Sequence, residues 1–331
     1  MGITMQTPRR VFIALVAAAF AMPCSVFAQS AAAYPTKPLR LVAPYPPGGL
    51  NDFLARLLGP KLSEALGQQV LIENRTGAGG MIGTEAVVKA PADGYTVLVA
   101  SGAEIAINQH LYAKVPYNAE QDLVPITLVA ITPLVLVAHA AVPANTLQEL
   151  VALAKAKPAT LGFASVGDGS SQHLTGEMLM AAAGIRLVHV PYKGAGQSLP
   201  DLLGGQIPLG IYGVSTIFPH VKAGKVKVLA VSTPKRSAAV PDWPTMAESG
   251  YPGFDTSLWV GLLVRTGTPK EVVDRLNAEA VRILKQPEVV ERMAAQGADT
   301  VGSSAADFKA FIASESAKYS RIIKQLGIKA S

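Results

Sequence analysis

The sequence predicts an α/β protein built from repeated strand and helix units in two lobes. Three observations carry this. Short β-rich apolar runs alternate with segments of helical periodicity along most of the chain. Glycine-rich turns stand where strands give way to helices. The length also suffices for two separate cores.

The first strand reads as Leu39–Ala43, turned into a helix by Gly48 and Gly49. Phe53, Leu54, Leu57, Leu58, Leu62 and Leu66 then recur on one helical face, which must pack on a sheet. Gly67 ends that helix. A strand at Val70–Glu73, a loop at 77–80, a helix near Ile82–Lys89 and a strand at Thr96–Ala100 complete a first series. After an apolar run at Ile126–Ala130, a second series begins with a strand at Leu134–Ala138 and a helix at Leu147–Ala156. It continues with a strand at Thr160–Ser165, a helix near Leu174–Ala183 and a strand at Leu187–Val190. A helix near Leu199–Leu203 and a strand at Leu209–Tyr212 close it. A further strand at Lys227–Ser232 leads past Trp243, Met246 and Trp259 to helical segments near Lys270–Gln296 and Ala305–Gln325. The expected division is residues 29–130 with 233–331 in one lobe and 131–232 in the other. Two crossings would then form a hinge.

At the N-terminus, Arg9 and Arg10 precede an apolar run from Val11 to Phe20, then Pro23 and the small exit Val26-Phe27-Ala28. This order reads as a secretory signal at residues 1–28, cut after Ala28. The run is shorter than the roughly 20 apolar residues of a membrane span. Cleavage would remove Cys24, the only cysteine, leaving neither a disulfide nor a thiol nucleophile. It would leave 303 residues with 27 cationic and 23 acidic side chains. No block of consecutive Lys or Arg marks a nucleic-acid surface.

Three strand-to-helix junctions place small residues where backbone amides become free: 44–52, 165–173 and 191–198. The first amides of a helix lack internal partners and share a partial positive charge, so a carboxylate docking there gains hydrogen bonds and favourable electrostatics. Asp52, Ser170 and Ser198 equally suit plain helix caps, and glycine-rich loops equally serve as tight turns. Tyr45 and Tyr192 offer a wall with a hydroxyl or packing at a loop base. His173 suits a carboxylate donor or a structural histidine, and Lys193 is the one cation in these loops.

Reactive constellations do not emerge from the spacing. The chain has no G-x-S-x-G elbow, phosphate loop or H-E-x-x-H helix. In the 77–80 loop, Ile82 stands where a dinucleotide fingerprint needs its last glycine. His110, His139, His173, His189 and His220 are dispersed without metal-ligand spacing, so neither a metal nor a cofactor is expected.

Several motifs resemble one family. Tyr34-Pro35-Thr36-Lys37-Pro38-Leu39-Arg40, followed by Pro44-Tyr45-Pro46-Pro47-Gly48-Gly49 and Asp52, is similar to the opening of the tripartite tricarboxylate transporter receptors, the Bug family of periplasmic binding proteins. Glu73-Asn74-Arg75-Thr76-Gly77-Ala78-Gly79-Gly80, Pro91-Ala92-Asp93-Gly94-Tyr95-Thr96, Ala106-Ile107-Asn108 with Leu111-Tyr112, Gly169-Ser170-Ser171-Gln172-His173-Leu174 and Val190-Pro191-Tyr192-Lys193-Gly194 continue the likeness.

The resemblance implies a two-lobed, Venus-flytrap fold of the type II kind, with a small carboxylate in the cleft and membrane permease subunits as partners of a monomeric periplasmic receptor. Carried over position by position, it implies contacts from Tyr45, Pro47, Gly48, Asp52 and Ser101 on one side. Ser165, Gly169, Ser170, His173, Tyr192, Gly213 and Ser215 would contribute from the other. Glu104 and Asp168 depart from the neutral residues usual in the family. Facing the cleft, they would favour an amino-bearing ligand; otherwise they point to water. Presentation of the solute to a membrane sensor kinase is the alternative output, and a secreted hydrolase is a third reading.

Overall fold

A computed structural model describes residues 1–3, 34–237 and 239–328. The expected signal segment and its cleavage point rest on residues 9–28, which lie outside those described. No helix among the described residues is long and apolar enough to cross a membrane.

The elements run β1 (Leu39–Ala43), α1 (Leu50–Leu66), β2 (Val70–Asn74), α2 (Met81–Val88) and β3 (Thr96–Ser101). A π-helical turn at Ala103–Ile107 leads into α3 (Asn108–Leu111) and α4 (Ala119–Asp122). Then come β4 (Leu123–His139), α5 (Leu147–Ala156), β5 (Gly162–Ser165), α6 (Ser171–Ala183), β6 (Val188–Pro191), α7 (Ala195–Leu203), β7 (Leu209–Gly213) and α8 (Val214–Lys222). The chain ends through β8 (Val226–Val231), β9 (Ser257–Arg265), α9 (Lys270–Leu284), α10 (Pro287–Ala295), β10 (Asp299–Thr300) and α11 (Ala305–Leu326).

One long strand organises all of this. The sequence suggests two strands around Ile126–Ala130 and Leu134–Ala138, but the chain stays extended through Pro133 and forms the single 17-residue β4. Its first part lies between β9 and β10, giving the order β2-β1-β3-β9-β4-β10. Its second part lies between β8 and β7, giving β8-β4-β7-β5-β6. The change of partner is abrupt: Pro133 pairs with Ser257 of β9, and Leu134 pairs with Gly213 of β7. Proline suits this place, because it lacks the N–H that a continuous ladder would need. The second passage between the halves, from β8 to β9, is tied to the first. Ser232 N donates to Leu134 O at 2.8 Å, and Ser232 Oγ donates to Thr256 O at 2.5 Å.

Apolar residues fill both faces. In the first half, Leu54, Leu57, Leu58, Leu62 and Leu66 of α1 are buried as the periodicity predicts. Ile105, Ile107, Trp259, Phe308 and Tyr319 build a core beneath α11 on the opposite face. In the second half, Leu134, Leu136, Phe163 and Leu179 pack with α5 and α6, while Val135, Val137, Tyr212 and Ile217 pack with α7 and α8. Burial on both faces explains why these strands read as continuous apolar runs.

Register along β4 decides where the strands point. Ser101, at the end of β3, and Ala130 of β4 both pair with Val260. Gly213, at the end of β7, pairs with Leu134. β3 runs with β4 and β7 runs against it, so the two C-terminal ends aim at one another. Four residues of strand separate their levels, roughly 13 Å. The carboxyl ends of strands in open α/β sheets are where ligands collect, and here two sets converge.

Candidate functional site

On the first-half side, Tyr45 from the β1–α1 loop, Ser101 at the end of β3 and Glu104 in the π-helical turn form one hydrogen-bonded knot. Tyr45 donates its hydroxyl to Glu104 Oε2 at 2.7 Å, and Ser101 Oγ donates to the same oxygen at 2.8 Å. Ser101 N donates to Glu104 Oε1 at 2.6 Å. Glu104 is only 1% exposed and has no cationic partner among the described residues. Burial therefore pushes its carboxyl up to about 7, against the lowering effect of these hydrogen bonds. The Tyr45 hydroxyl is held above its ordinary range by burial and then by the Glu104 charge. Glu104 is thus closed off from solvent; its oxygens are taken by Ser101 of its own loop and by Tyr45 of the β1–α1 loop.

Asp52 also turns inward. Its carboxylate accepts from Gly48 N at 3.0 Å, Asn74 Nδ2 at 3.0 Å and Arg56. Burial alone would raise its pKa, but the hydrogen bonds from Arg56, Gly48 and Asn74 hold it below the ordinary value. The amide of Gly48, expected to be free, is therefore occupied. Gly48 has φ +88, which suits glycine, and lies exposed with Pro47 at the rim. The N-cap position Gly49 offers α1 no side-chain cap.

On the opposite side, the loop after β5 carries Ser165, Asp168, Gly169 and Ser170. Ser170 caps α6 by accepting from His173 N at 3.2 Å, so that helix start is already satisfied. Ser198 is buried and offers no cap to α7, whose N-cap is Gly194. Tyr192 donates to Asp201 at 2.8 Å, and its ring joins the second-half core. Gly213 is the N-cap of α8 and gives it no side-chain cap. With Ser215 in that first turn there is also no acidic residue, so α8 keeps its partial positive charge open. The two sides meet where Leu111 lies against Gly169.

The histidines, dispersed in sequence, are brought together in space. The β5–β6 register sets His189 beside Phe163, two residues from Ser165 on the same face. His189 Nε2 lies 2.6 Å from Ser165 Oγ, and its Nδ1 is 3.6 Å from Asp168. The His173 and His189 rings stack with centroids 3.8 Å apart and planes 6° from parallel. Asp168, His173 and His189 are close enough to suggest a metal centre. Stacked rings, however, direct their lone pairs along parallel planes instead of at one ion. His173 Nδ1 also accepts from Gly169 N at 3.1 Å, and its Nε2 faces Glu177 at 3.4 Å.

Ser165, His189 and Asp168 also form the chain of residue types used by serine hydrolases. Ser165 is wholly buried, and its hydroxyl donates to Gly167 O while accepting from Gly167 N, both at 3.1 Å. Burial, and then the neighbouring His173, depress His189 to about 4, too low for a base poised near neutrality. The arrangement pins a loop.

A separate groove of about 480 Å³ lies between α6, the 250–255 loop and α11, with Lys318 and Arg321 on its wall. None of the residues expected from the sequence lines it.

Comparison with known proteins decides the family. The model of the tripartite tricarboxylate transporter family receptor matches residues 54–328. This chain belongs to that family. Among relatives of these receptors, protein BugT of Bordetella pertussis is 38% identical over 301 residues, covering 91% of this chain and 92% of BugT. Rpa4515 of R. palustris, solved with adipate, is 33% identical with a TM-score of 0.84, covering 89% of this chain and 99% of that one. MatC from Rhodopseudomonas palustris, solved with bound malate, is 29% identical with a TM-score of 0.79, covering 88% and 100%. The tripartite tricarboxylate receptors are periplasmic solute-binding proteins, not an enzyme family, and the two-lobed α/β architecture agrees with that membership.

Proposed function

We propose that the chain is a periplasmic receptor that captures a small carboxylate-bearing solute between its lobes and delivers it to the membrane subunits of a tripartite transporter. The observation that carries this reading is the convergence of the β3 and β7 ends along β4, with uncapped helices α1 and α8 starting beside them. Lys193, the one cation of the three glycine-rich junctions, lies in the β6–α7 loop, and the loops at these ends carry no lysine or arginine. An anion there gains its hold from backbone amides, hydroxyls and helix partial charges rather than from an ion pair. Adipate and malate in two relatives support the same ligand class.

In this reading residues 29–130 with 233–331 form one lobe and 131–232 the other, and the passages at Pro133–Leu134 and Ser232–Thr256 flex as the cleft closes. Closure displaces water, and no bond is made or broken. The receptor works as a monomer after export.

The test is a thermal-shift screen of the chain from Gln29 with mono-, di- and tricarboxylates, amino acids and aromatic acids. Stabilisation should grow with ligand as RT ln(1 + [L]/Kd), about 2.7 kcal/mol at one hundred times Kd. Failure of every carboxylate to stabilise the protein, or equal stabilisation by uncharged analogues, overturns the proposal.

A further inference from the structure

Building on the receptor reading above, we infer that Glu104 decides whether the Tyr45 and Ser101 hydroxyls meet a bound solute as donors or as acceptors, so that gripping an anionic carboxylate is coupled to uptake of one proton by the protein.

An ionised carboxylate only accepts. With Glu104 charged, the hydroxyl protons of Tyr45 and Ser101 both point at Oε2, at 2.7 and 2.8 Å. Their oxygens then present only lone pairs to anything beyond, which repels a carboxylate. A proton on Oε2 reverses one of these bonds. Glu104 now donates to that hydroxyl oxygen, and the released O–H, whose alternatives inside the knot are the long contacts from Tyr45 to Gly79 O at 3.4 Å and from Ser101 to the Tyr45 oxygen at 3.3 Å, can turn to the ligand as a donor. Oε1 keeps the Ser101 N–H throughout. The proton comes from solvent and stays on Glu104.

The surroundings leave this group free to change charge. Tyr45 faces it from the β1–α1 loop, and Tyr117 donates to its main-chain carbonyl at 2.9 Å. From α11, which packs on the same turn, Glu315 and Lys318 pair with each other. From α3, His110 is engaged with Ser316. On α2, Glu85 pairs with Lys89, and on α4 Glu120 is exposed while Asp122 accepts from Asn118 N. None of these gives Glu104 a counter-charge, which is why burial raises it to about 7, within reach of ordinary conditions.

Coupling is reciprocal: if the proton favours the ligand, the ligand favours the proton. The experiment measures adipate and malate binding by titration calorimetry, from about pH 6, where simple carboxylic acids are already ionised, to about pH 9. It is repeated in two buffers of different ionisation enthalpy to count protons, on the wild type and on Glu104→Gln. The wild type should bind with uptake of close to one proton at high pH, its affinity falling by up to tenfold per unit above about 7. Glu104→Gln presents a donating NH2 and an accepting oxygen at all pH, so its binding should be tight and flat. Equal pH dependence in both proteins, or wild-type binding without proton uptake, overturns the coupling while leaving the receptor reading intact. No binding of either acid at any pH overturns the coupling as stated for these acids, and it sinks the receptor reading only where the wider carboxylate screen also finds no ligand. The proton count on the wild type stands even if the variant folds poorly.

Discussion

Leu111 lies over the α-carbon of Gly169, so that a β-carbon added there would stand 1.9 Å from Leu111 Cδ2. One residue belongs to α3 in the first half of the molecule, the other to the loop before α6 in the second. Gly169 also has φ +73, a conformation that costs other residues about 1–2 kcal/mol. Gly169→Ala should therefore lower stability by about 2 kcal/mol or more and widen the molecule in small-angle scattering. Leu111→Ala in the same chain should restore the compact form and leave only the backbone strain. If the double variant stays as open as the single one, the contact is not what separates the halves.

Glu104 makes the stability itself depend on pH. Its carboxyl is raised by burial from 4.5 to about 7, so the folded state holds a proton that the unfolded chain releases earlier. The contribution is complete below about 4.5 and is lost as pH rises through about 7, on the order of 3 kcal/mol in all. Chemical denaturation of the ligand-free protein should show this decline. The difference in stability between Glu104→Gln and the wild type should widen over the same interval, in favour of the variant. A constant difference would refute the assignment.

The fold was readable because its signals are local. The α1 stripe and the short apolar strands obey helical and buried-strand patterns, and their predicted ranges differ from the observed ones by a few residues. What escaped was long-range. Ser257–Arg265 is a continuous apolar run, the mark of a strand buried on both faces, yet it reads as passage through Trp259 until β3 and β4 flank it. Helix α8 was missed because Pro219 interrupts its pattern. Around the candidate site, glycine and hydroxyl spacing marks the 44–52, 165–173 and 191–198 loops, whereas Ser101, Glu104, Gly213 and Ser215 stand out only through the family resemblance. The stacking of His173 on His189 was not legible, since it depends on the β5–β6 register. The inward turn of Glu104 depends on a π-helical turn that no periodicity announces.

Asp52 should act in the opposite sense to Glu104. Hydrogen bonds from Arg56, Gly48 and Asn74 lower its pKa despite burial, so its contribution is present above the ordinary carboxylate range and is lost as pH falls below it. Asp52→Ala removes the acceptor of Gly48 N and one of the two acceptors of Asn74 Nδ2, which still donates to Tyr45 O at 3.1 Å, and should cost about 1–3 kcal/mol. Asp52→Asn should lose less at neutral pH and flatten the acid limb of the stability curve. Denaturation midpoints across the acid range measure both effects, and an unaltered acid limb in Asp52→Asn would count against the role.

The inner face of α11 carries a buried ion pair. Glu315 is buried, accepts from Trp259 Nε1 at 3.1 Å and meets Lys318 at 2.5 Å. Burial raises its carboxyl even though Lys318 opposes the shift. Removing the cation alone leaves a buried charge without compensation, so Lys318→Met should destabilise by about 3–5 kcal/mol. Glu315→Gln should cost less, because the amide oxygen can still accept from Trp259 and the lysine still reaches Asp255, at 3.5 Å. Combining the two should recover much of the Lys318→Met loss, since neither member then carries a stranded charge. Thermal denaturation of the four proteins at neutral pH gives the coupling directly. Additive losses would mean that the two side chains act independently and that the burial of Glu315 is balanced elsewhere.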